Sequence, residues 1–461
     1  MTIRGMLAGL GKGIKWGLIA LALVYVTLLA INAVDEAPSP ELQTILRSPK
    51  IDADPDNGYL AFVGSMQAPE DEDIFDYGTR WVDAYNAAAD SAAIERANTR
   101  FKTIAPSFLG DQKLLCNPSR IACLTEAGKH ADVWRKLAAD NDLLLARQRS
   151  LTEFPHFEES YFPPSIASPI TPYANPARLL ALDMIALDAA EGRLEPALVA
   201  LEARIAFDRR VLLSSRLLIT GMVARSWLGQ DYALLAEIVA TRAPVLAAQQ
   251  ARLYRITAPL EINQIRAIAG RLYEGEARFQ ARKLHEVFSL GNQQGLADKL
   301  LIMLARPGFK SRTTLNLLAR KHAALQAHIL TFSPENADAW ALQASRAEPY
   351  DAAAFYAWRT LYNPVGNYVI SIGGVGVYGY ERYMLKLSDL IGITRLARLQ
   401  AEIVTAGETD VGIPAYLAAN QAWYDPYTGK PMGWDAVKRQ LYFDARGDAP
   451  QGISKHIQAG L

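Results

Sequence analysis

The sequence predicts a mainly α-helical protein with one membrane-spanning helix at its amino end and a small β-hairpin near its carboxyl end. Residues 16–34 contain no charged side chain, and this length suffices to cross a hydrocarbon core of roughly 30 Å. Long stretches beyond residue 58 have apolar residues at three- and four-residue spacing, which is typical of amphipathic helices. Turn residues followed by aromatic residues in 424–448 indicate the hairpin.

The charges around the apolar segment predict its orientation. Arg4, Lys12 and Lys15 precede it, and Asp35 and Glu36 follow it. Basic residues flanking a membrane helix usually remain in the cytoplasm. We therefore expect a cytoplasmic tail over residues 1–15, a transmembrane helix over 16–34 and a main domain on the far side of the membrane.

A cleaved signal peptide is the alternative to an anchor. Residues 28–30 and 31–33 offer small-residue cleavage sites. The fifteen-residue amino-terminal region and the long apolar stretch favour an anchor, because the apolar region of a signal peptide usually spans 7–15 residues. No cysteine ends the apolar stretch, which excludes a lipoprotein. Both alternatives export the bulk of the chain.

Composition and charge indicate a globular protein with an uneven charge distribution. Half of the residues are hydrophobic, 21% are charged, and the net charge is zero, so no global field attracts nucleic acid. Residues 35–73 carry a net charge of −8, whereas residues 200–330 carry +10. Three explanations remain open: solvated helix faces, packing of the acidic segment on the basic helices, or contact with an anionic partner such as lipid headgroups.

The chain contains only two cysteines, Cys116 and Cys123, separated by a turn-prone stretch that includes Asn117-Pro118. In an exported domain, a lone close pair predicts a structural disulfide. A redox pair is the alternative, but such pairs more commonly have the Cys-x-x-Cys spacing at the start of a helix.

The chain divides into five predicted regions. After the tail and the membrane helix, residues 35–57 form an acidic, Pro-rich stalk. A helical domain is predicted over 58–333, beginning with a short buried strand or helix start at Asn57–Met66 and continuing with helical patterns at 74–104 and 125–150. Six prolines between Phe154 and Pro176 indicate a long loop or a boundary.

Residues 177–330 show the clearest pattern of paired helices. Gly192 and Gly229 lie 37 residues apart, and each follows an Ala- and Leu-rich segment that is predicted to be helical. This spacing is close to the period of stacked helical hairpins. Over about sixty residues the segment resembles the tetratricopeptide-like helical-repeat superfamily, although the characteristic aromatic and proline positions are missing. The resemblance implies a solenoid-like packing of hairpins.

A carboxyl-terminal subdomain is predicted over residues 334–461. It contains a long helix from Arg382 to Thr405 and the hairpin tail. Four short features are spread along the chain: Asn57-Gly58-Tyr59, the pair Cys116 and Cys123, Asn363-Pro364-Val365-Gly366 and Asp425–Pro431. In these the chain resembles the uncharacterised membrane-anchored envelope proteins of Gram-negative bacteria. The resemblance implies an anchor in the inner (plasma) membrane and a main domain in the periplasm, but no activity.

One segment, Gly374–Gly379, fits the dinucleotide-binding pattern G-x-G-x-x-G after a strand-like stretch. No second βαβ unit follows it, and no acidic residue ends a strand about twenty positions later. An exported compartment also offers little nucleotide cofactor. We therefore predict a glycine-rich turn and no cofactor.

Metal-binding patterns are also incomplete. Residues 52–56 alternate carboxylates as calcium loops do, but Asn57 and Val63 stand where such a loop needs Gly and Glu. The six histidines are scattered, and His322 and His328 lie on different faces of a helix. Neither pattern predicts a metal site.

Glu153, Glu158 and Glu159 form the strongest catalytic candidate, because they lie beside aromatic residues in the Pro-rich loop. Two carboxylates roughly 5–9 Å apart would permit glycan hydrolysis. The alternative without a function is a loop whose aromatic residues pack against the protein and whose acidic residues are exposed to solvent. We predict no catalytic residue and a non-catalytic, membrane-tethered interaction or scaffold protein with an envelope protein partner. The alternative functions are a periplasmic hydrolase that acts on glycan or peptide through such carboxylates and a protein that binds lipid or another apolar ligand between its helices.

Overall fold

The computed structural model describes residues 3–47, 54–88, 91–101, 106–160, 176–242, 246–287, 295, 303, 305–346, 361–372, 380–447 and 455–461. These residues are mainly helical, as predicted, and a small antiparallel sheet lies near the carboxyl end. The helices are Ile3–Ile31, Pro40–Leu46, Gly58–Gln67, Ile74–Asn86, Ser91–Arg100, Cys123–Asp140, Asp142–Glu153, Pro176–Ala190, Leu194–Ser214, Leu218–Arg242, Gln250–Ile256, Ile262–Val287, Ser311–Leu330, Ala337–Arg346, Pro364–Ile372, Tyr380–Ala406 and Ile413–Ala419.

The chain forms two compact units, and each is built from separate chain segments. Unit 1 comprises Met1–Arg47, Ala277–Leu325 and Ala344–Tyr378. Unit 2 comprises Ser48–Glu276, Gln326–Gln343 and Gly379–Leu461. The predicted regions were continuous in sequence, so this interleaving is a feature that the sequence analysis did not anticipate.

The first helix of unit 1, Ile3–Ile31, contains the predicted membrane segment. Its stretch Ile14–Ile31 is long and apolar enough to cross a membrane, and none of that stretch is buried within the protein. Large apolar side chains such as Trp16, Leu21 and Leu23 are more than 60% exposed. Such exposure is unusual in water. It suits a helix that is surrounded by lipid, or one that serves as a signal sequence.

A second helix of unit 1, Pro40–Leu46, lies in the segment predicted as a stalk. The Ser39 side chain caps it by accepting the Leu42 N–H (3.2 Å), and Pro40 occupies the first helical position, where no N–H is required. Its apolar face joins a buried cluster with three other helices. The cluster consists of Leu42, Ile45, Ala277, Ala281, Leu284, Leu315, Leu318, Ala319 and Ile370. Residues 40–46 are therefore packed instead of extended.

Unit 2 begins with two helices in unusually close contact, Gly58–Gln67 and Ile74–Asn86. A side-chain carbon at Gly64 would overlap the Ile74 carbonyl, and one at Gly78 would overlap the Leu60 carbonyl. The backbones touch because neither position carries a side chain. The stretch predicted as a short buried strand or helix start is thus a helix, and its residues 58–65 are buried.

The paired-helix prediction is confirmed at one glycine and wrong at the other. Gly192 has a φ of +82° and lies between the helices Pro176–Ala190 and Leu194–Ser214. Gly229, by contrast, lies inside the continuous helix Leu218–Arg242. A helical glycine costs only about 1 kcal/mol relative to alanine. Burial of apolar residues along both halves of this helix, such as Leu228 and Leu235, outweighs that cost.

The carboxyl-terminal part of unit 2 confirms the long helix, which spans Tyr380–Ala406, and extends the predicted hairpin. Strands β1 (Gly433–Asp435) and β2 (Gln440–Ala445) form that hairpin with Trp434 opposite Leu441. A third strand, β3 (Lys455–Gly460), pairs antiparallel with β2 and was not predicted.

Buried Asp389 joins the long helix to this region of unit 2. Its carboxylate accepts the Tyr427 hydroxyl (2.6 Å) and the N–H groups of Arg446 (2.9 Å) and Gly447 (3.0 Å). These donors hold the turn before β1 and the end of β2 against the helix.

Candidate functional site

The residues that follow the apolar helix are fixed into unit 1 by a set of polar contacts, which we call the anchor junction (Asn32, Asp35, Asn316, Asn363 and their partners). The buried Asn32 amide donates to the carbonyls of Leu28 (2.9 Å) and Leu361 (2.8 Å). Its oxygen accepts the Asn363 N–H at 2.7 Å. One side chain thus joins the end of the apolar helix to a loop more than 300 positions later in the chain.

Asp35 binds the amino end of the helix Ser311–Leu330. Its carboxylate accepts the N–H groups of Arg312 and Thr313, both at 3.0 Å, and the Thr313 hydroxyl at 2.9 Å. The first N–H groups of a helix have no partner within it and favour an anion. Partial burial raises the pKa of Asp35, but these hydrogen bonds lower it more, so that the pKa lies below its usual value.

Asn316 and Asn363 complete the anchor junction. The Asn316 side chain accepts the Ser39 N–H (2.8 Å) and donates to the Ala37 carbonyl (2.8 Å) and to Glu36 (3.0 Å). The Asn363 backbone has a φ of +54°, and its side-chain oxygen accepts the Lys310 N–H at 2.7 Å. Asparagine tolerates this left-handed conformation better than most residues. The segment after the apolar helix is therefore tied down at several consecutive positions.

A second polar cluster lies buried among the helices of unit 2. One nitrogen of Arg178 donates to both Asp208 and Asp231 at 2.7 Å, and another donates to Gln230 at 2.6 Å. The guanidinium also lies 5.1 Å from the centre of the Trp227 ring. Burial acts to lower the pKa of Arg178, but the two carboxylates raise it above its usual value, so Arg178 remains charged.

Arg204 and Asp231 are less completely paired. The Arg204 side chain is 8% exposed and makes no hydrogen bond to any residue that the structure describes; its Nε lies 3.9 Å from Asp231. Burial lowers the pKa of Arg204 to about 10. Burial also raises the pKa of Asp231 to about 8, although Arg178 acts in the opposite direction. A perturbed acid beside an arginine is a common feature of catalytic sites.

The space beside this cluster is small. The cavity is lined by Arg178, Arg204, Asp208, Phe62, Met66, Gln148, Leu151, Thr152, Phe207 and Trp227. Its volume is about 10 Å³, which is roughly what one water molecule needs. Two arginines and two aspartates also balance each other in charge. The arrangement has the chemistry of a buried structural ion network and no room for a substrate.

The acidic residues that the sequence singled out have structural partners. Glu159 is buried and accepts the N–H groups of Arg216 (2.6 Å) and Leu217 (2.8 Å) and the Thr220 hydroxyl (2.7 Å). It therefore caps the start of the helix Leu218–Arg242. Glu158 pairs with the Arg216 side chain. Glu153 is the last residue of the helix Asp142–Glu153.

The predicted disulfide between Cys116 and Cys123 is formed. Both cysteines are 1% exposed, and buried Asp183 lies beside them, accepting the Cys116 N–H at 3.1 Å. A cysteine ligand and a carboxylate in such proximity would suit a metal, but the two sulfurs are bonded to each other and offer no thiolate. The bond closes the loop before the helix Cys123–Asp140.

Replacing Asp183 with asparagine should remove a pH dependence of stability. Burial raises the pKa of Asp183 to about 8 from its ordinary value of 3.8, although the Cys116 N–H lowers it. Between these values the folded protein keeps a proton that the unfolded chain has released, so the free energy of unfolding falls as pH rises. Asp183→Asn should lessen that fall by up to about 1.4 kcal/mol per pH unit.

Denaturant unfolding of the full-length protein in detergent, measured from pH 5 to pH 8, tests this expectation. The advantage of the variant over the wild type should increase steadily with pH, because its amide still accepts the Cys116 N–H. A constant difference across that range would show that Asp183 is ionised in the folded protein.

Several of these residues were missed by the sequence analysis. Arg178, Asp183, Asp208 and Asp231 were not singled out, although each lies within an otherwise Ala- and Leu-rich helical stretch. A charged residue on an apolar helix face was the available signal, because such a residue is rarely buried without a partner. Gly374–Gly379 and residues 52–53 of the calcium-like pattern lie outside the described residues. The strand-like stretch that precedes Gly374–Gly379 proves to be helical through Ile372.

Comparisons with protein-family models, curated proteins and solved structures find no match for this chain. The geometry of the anchor junction and of the buried clusters is thus the basis for any functional conclusion.

Proposed function

We propose that the protein is a membrane-tethered interaction protein whose helical body lies outside the cytoplasm. The observation that carries this proposal is the apolar stretch Ile14–Ile31, none of which is buried against the part of the protein that the structure describes. Basic residues precede it and acidic residues follow it, which favours a cytoplasmic amino end. The buried disulfide supports the same location, since disulfides persist in oxidising compartments such as the periplasm.

The architecture supports an interaction role over a catalytic one. The helices Leu194–Ser214 and Leu218–Arg242 pack against each other, and solenoid-like helical proteins build their binding surfaces from such stacked helices. The proposed partner is another envelope protein, in line with the resemblance to Gram-negative envelope proteins. The hydrolase alternative gains no support, because Glu158 and Glu159 are engaged with Arg216 and with a helix terminus.

Protease digestion and mass measurement test the proposed topology. Protease added to intact spheroplasts should digest the main domain, and the cysteines should resist thiol labelling until they are reduced. The purified protein should keep its full mass of 50.6 kDa, whereas a cleaved signal peptide would shorten it. Complete protection of the main domain would refute export. Crosslinking in the native envelope then identifies the partner.

A further inference from the structure

We propose that unit 1 lies against the surface of the bilayer that holds the anchor, with Leu361 and Tyr362 at the depth of the lipid headgroups. This inference rests on the proposed membrane anchor and adds a second, peripheral contact with lipid. The opposite arrangement would be a body carried away from the membrane on an extended stalk.

The contacts of Asn32 indicate the depth of Leu361 and Tyr362 in the membrane. Asn32 directly follows the apolar stretch that ends at Ile31, so it lies at the edge of the hydrocarbon core if the helix spans the bilayer. Hydrogen bonds of 2.8 and 2.7 Å join the Asn32 side chain to the backbones of Leu361 and Asn363. The Tyr362 hydroxyl donates to the Val34 carbonyl at 3.0 Å. These residues are therefore at the level of the membrane interface.

The side chains of Leu361 and Tyr362 have the chemistry of residues at a membrane interface. Leu361 is 45% exposed, which is unfavourable in water but suits a residue that enters the headgroup region. Tyrosine, with an apolar ring and a polar hydroxyl, is enriched at membrane interfaces. An aliphatic and an aromatic residue thus lie side by side at that depth.

Three basic residues lie in the same part of unit 1. Arg306, Lys310 and Arg312 lie within seven positions and make no ion pair with any residue in the described part of the chain. The Lys310 N–H binds Asn363 and the Arg312 N–H binds Asp35, so both backbones belong to the anchor junction. Asp35 is engaged with a helix terminus, which leaves the basic side chains to meet lipid phosphates. We therefore infer a bilayer surface containing anionic lipid as the partner.

A fluorescent depth probe tests the proposal. Single cysteines introduced as Leu361→Cys, Tyr25→Cys and Val411→Cys are labelled with an environment-sensitive fluorophore in the full-length protein. The protein is placed in nanodiscs of phosphatidylethanolamine and phosphatidylglycerol that contain a quencher lipid labelled at the headgroup, for position 361, or along the acyl chain, for position 25. Val411 is 90% exposed and belongs to unit 2, and Tyr25 lies in the apolar helix. The native disulfide leaves no other thiol to label.

We expect the probe at position 361 to lose most of its emission in quencher nanodiscs. A probe at Leu361 that is quenched no more than one at Val411, while the Tyr25 probe is quenched, would overturn this inference and leave the anchor intact. Loss of quenching at both 361 and 25 would instead refute the anchor. Reversing the charges with Arg306→Glu and Lys310→Glu should weaken quenching at 361 without changing it at 25. Unchanged quenching at 361 would contradict the proposed role of the basic residues.

Discussion

Replacing Arg178 with methionine should lower the free energy of unfolding by about 3–5 kcal/mol, because it leaves two buried carboxylates without their hydrogen-bonded partner and with only one nearby positive charge, Arg204. Asp208 and Asp231 each lose a hydrogen bond of 2.7 Å, and neither is exposed to water. The loss should increase with pH, because the folded variant tolerates the unpaired Asp231 only with a proton bound, whereas the unfolded chain releases that proton. Urea unfolding of the full-length protein in detergent at pH 5 and pH 8 measures both effects.

Arg204→Met is the matched control for this prediction. Arg204 is buried in the same cluster but makes no hydrogen bond to a described residue. Replacing it loses a contact of 3.9 Å with Asp231. The replacement also removes the free-energy cost of burying the positive charge of Arg204. The expected change is less than about 1 kcal/mol. Equal losses in the two variants would show that net charge in the cluster matters and that the hydrogen-bonded pairs do not.

Replacing Gly78 with alanine should be among the most damaging small substitutions in unit 2. The added methyl would overlap the Leu60 carbonyl across the contact between the helices Gly58–Gln67 and Ile74–Asn86. Overpacking usually costs about 1–3 kcal/mol, and more where backbone cannot move aside. We expect the free energy of unfolding to fall by an amount at or above the top of that range. A lower midpoint of denaturant unfolding measures this loss.

Gly229→Ala provides the comparison, because it makes the same chemical change in another helix interior. A side-chain carbon at Gly229 meets no atom within 4 Å. Alanine should therefore stabilise the protein, by up to about 1 kcal/mol, through its higher helix propensity. If Gly78→Ala were as stable as the wild type, the two helices would have to be farther apart than the structure shows.

Local features of the fold could be predicted from the sequence, whereas its interleaved assembly could not. The apolar stretch at 16–34, the helix end at Gly192, the Cys116–Cys123 pair and the long helix before residue 406 depend on nearby residues. The third strand, Lys455–Gly460, depends on its pairing with a distant strand, β2. Its sequence is poor in the β-branched and aromatic residues that indicate strands.

The residues of the candidate sites could likewise be predicted only where the contact is local. Asp35 and Asn363 were noted only as parts of a flank and of a motif, because nothing in the sequence relates positions so far apart. Likewise, the Gly229 prediction failed because glycine is a weak helix breaker when buried apolar residues lie on both sides. Tertiary contacts decide both outcomes.

The distance in sequence between Asn32 and Asn363 has a consequence for biosynthesis. The two residues that hydrogen-bond at the anchor junction are 331 positions apart. At about 5–20 residues per second, a ribosome needs roughly 15–65 s to make the chain between them. From the synthesis of Ile45 until that of Ala277, Leu42 and Ile45 have been made while their packing partners have not. The part of the protein that is made first is thus among the last to be completed.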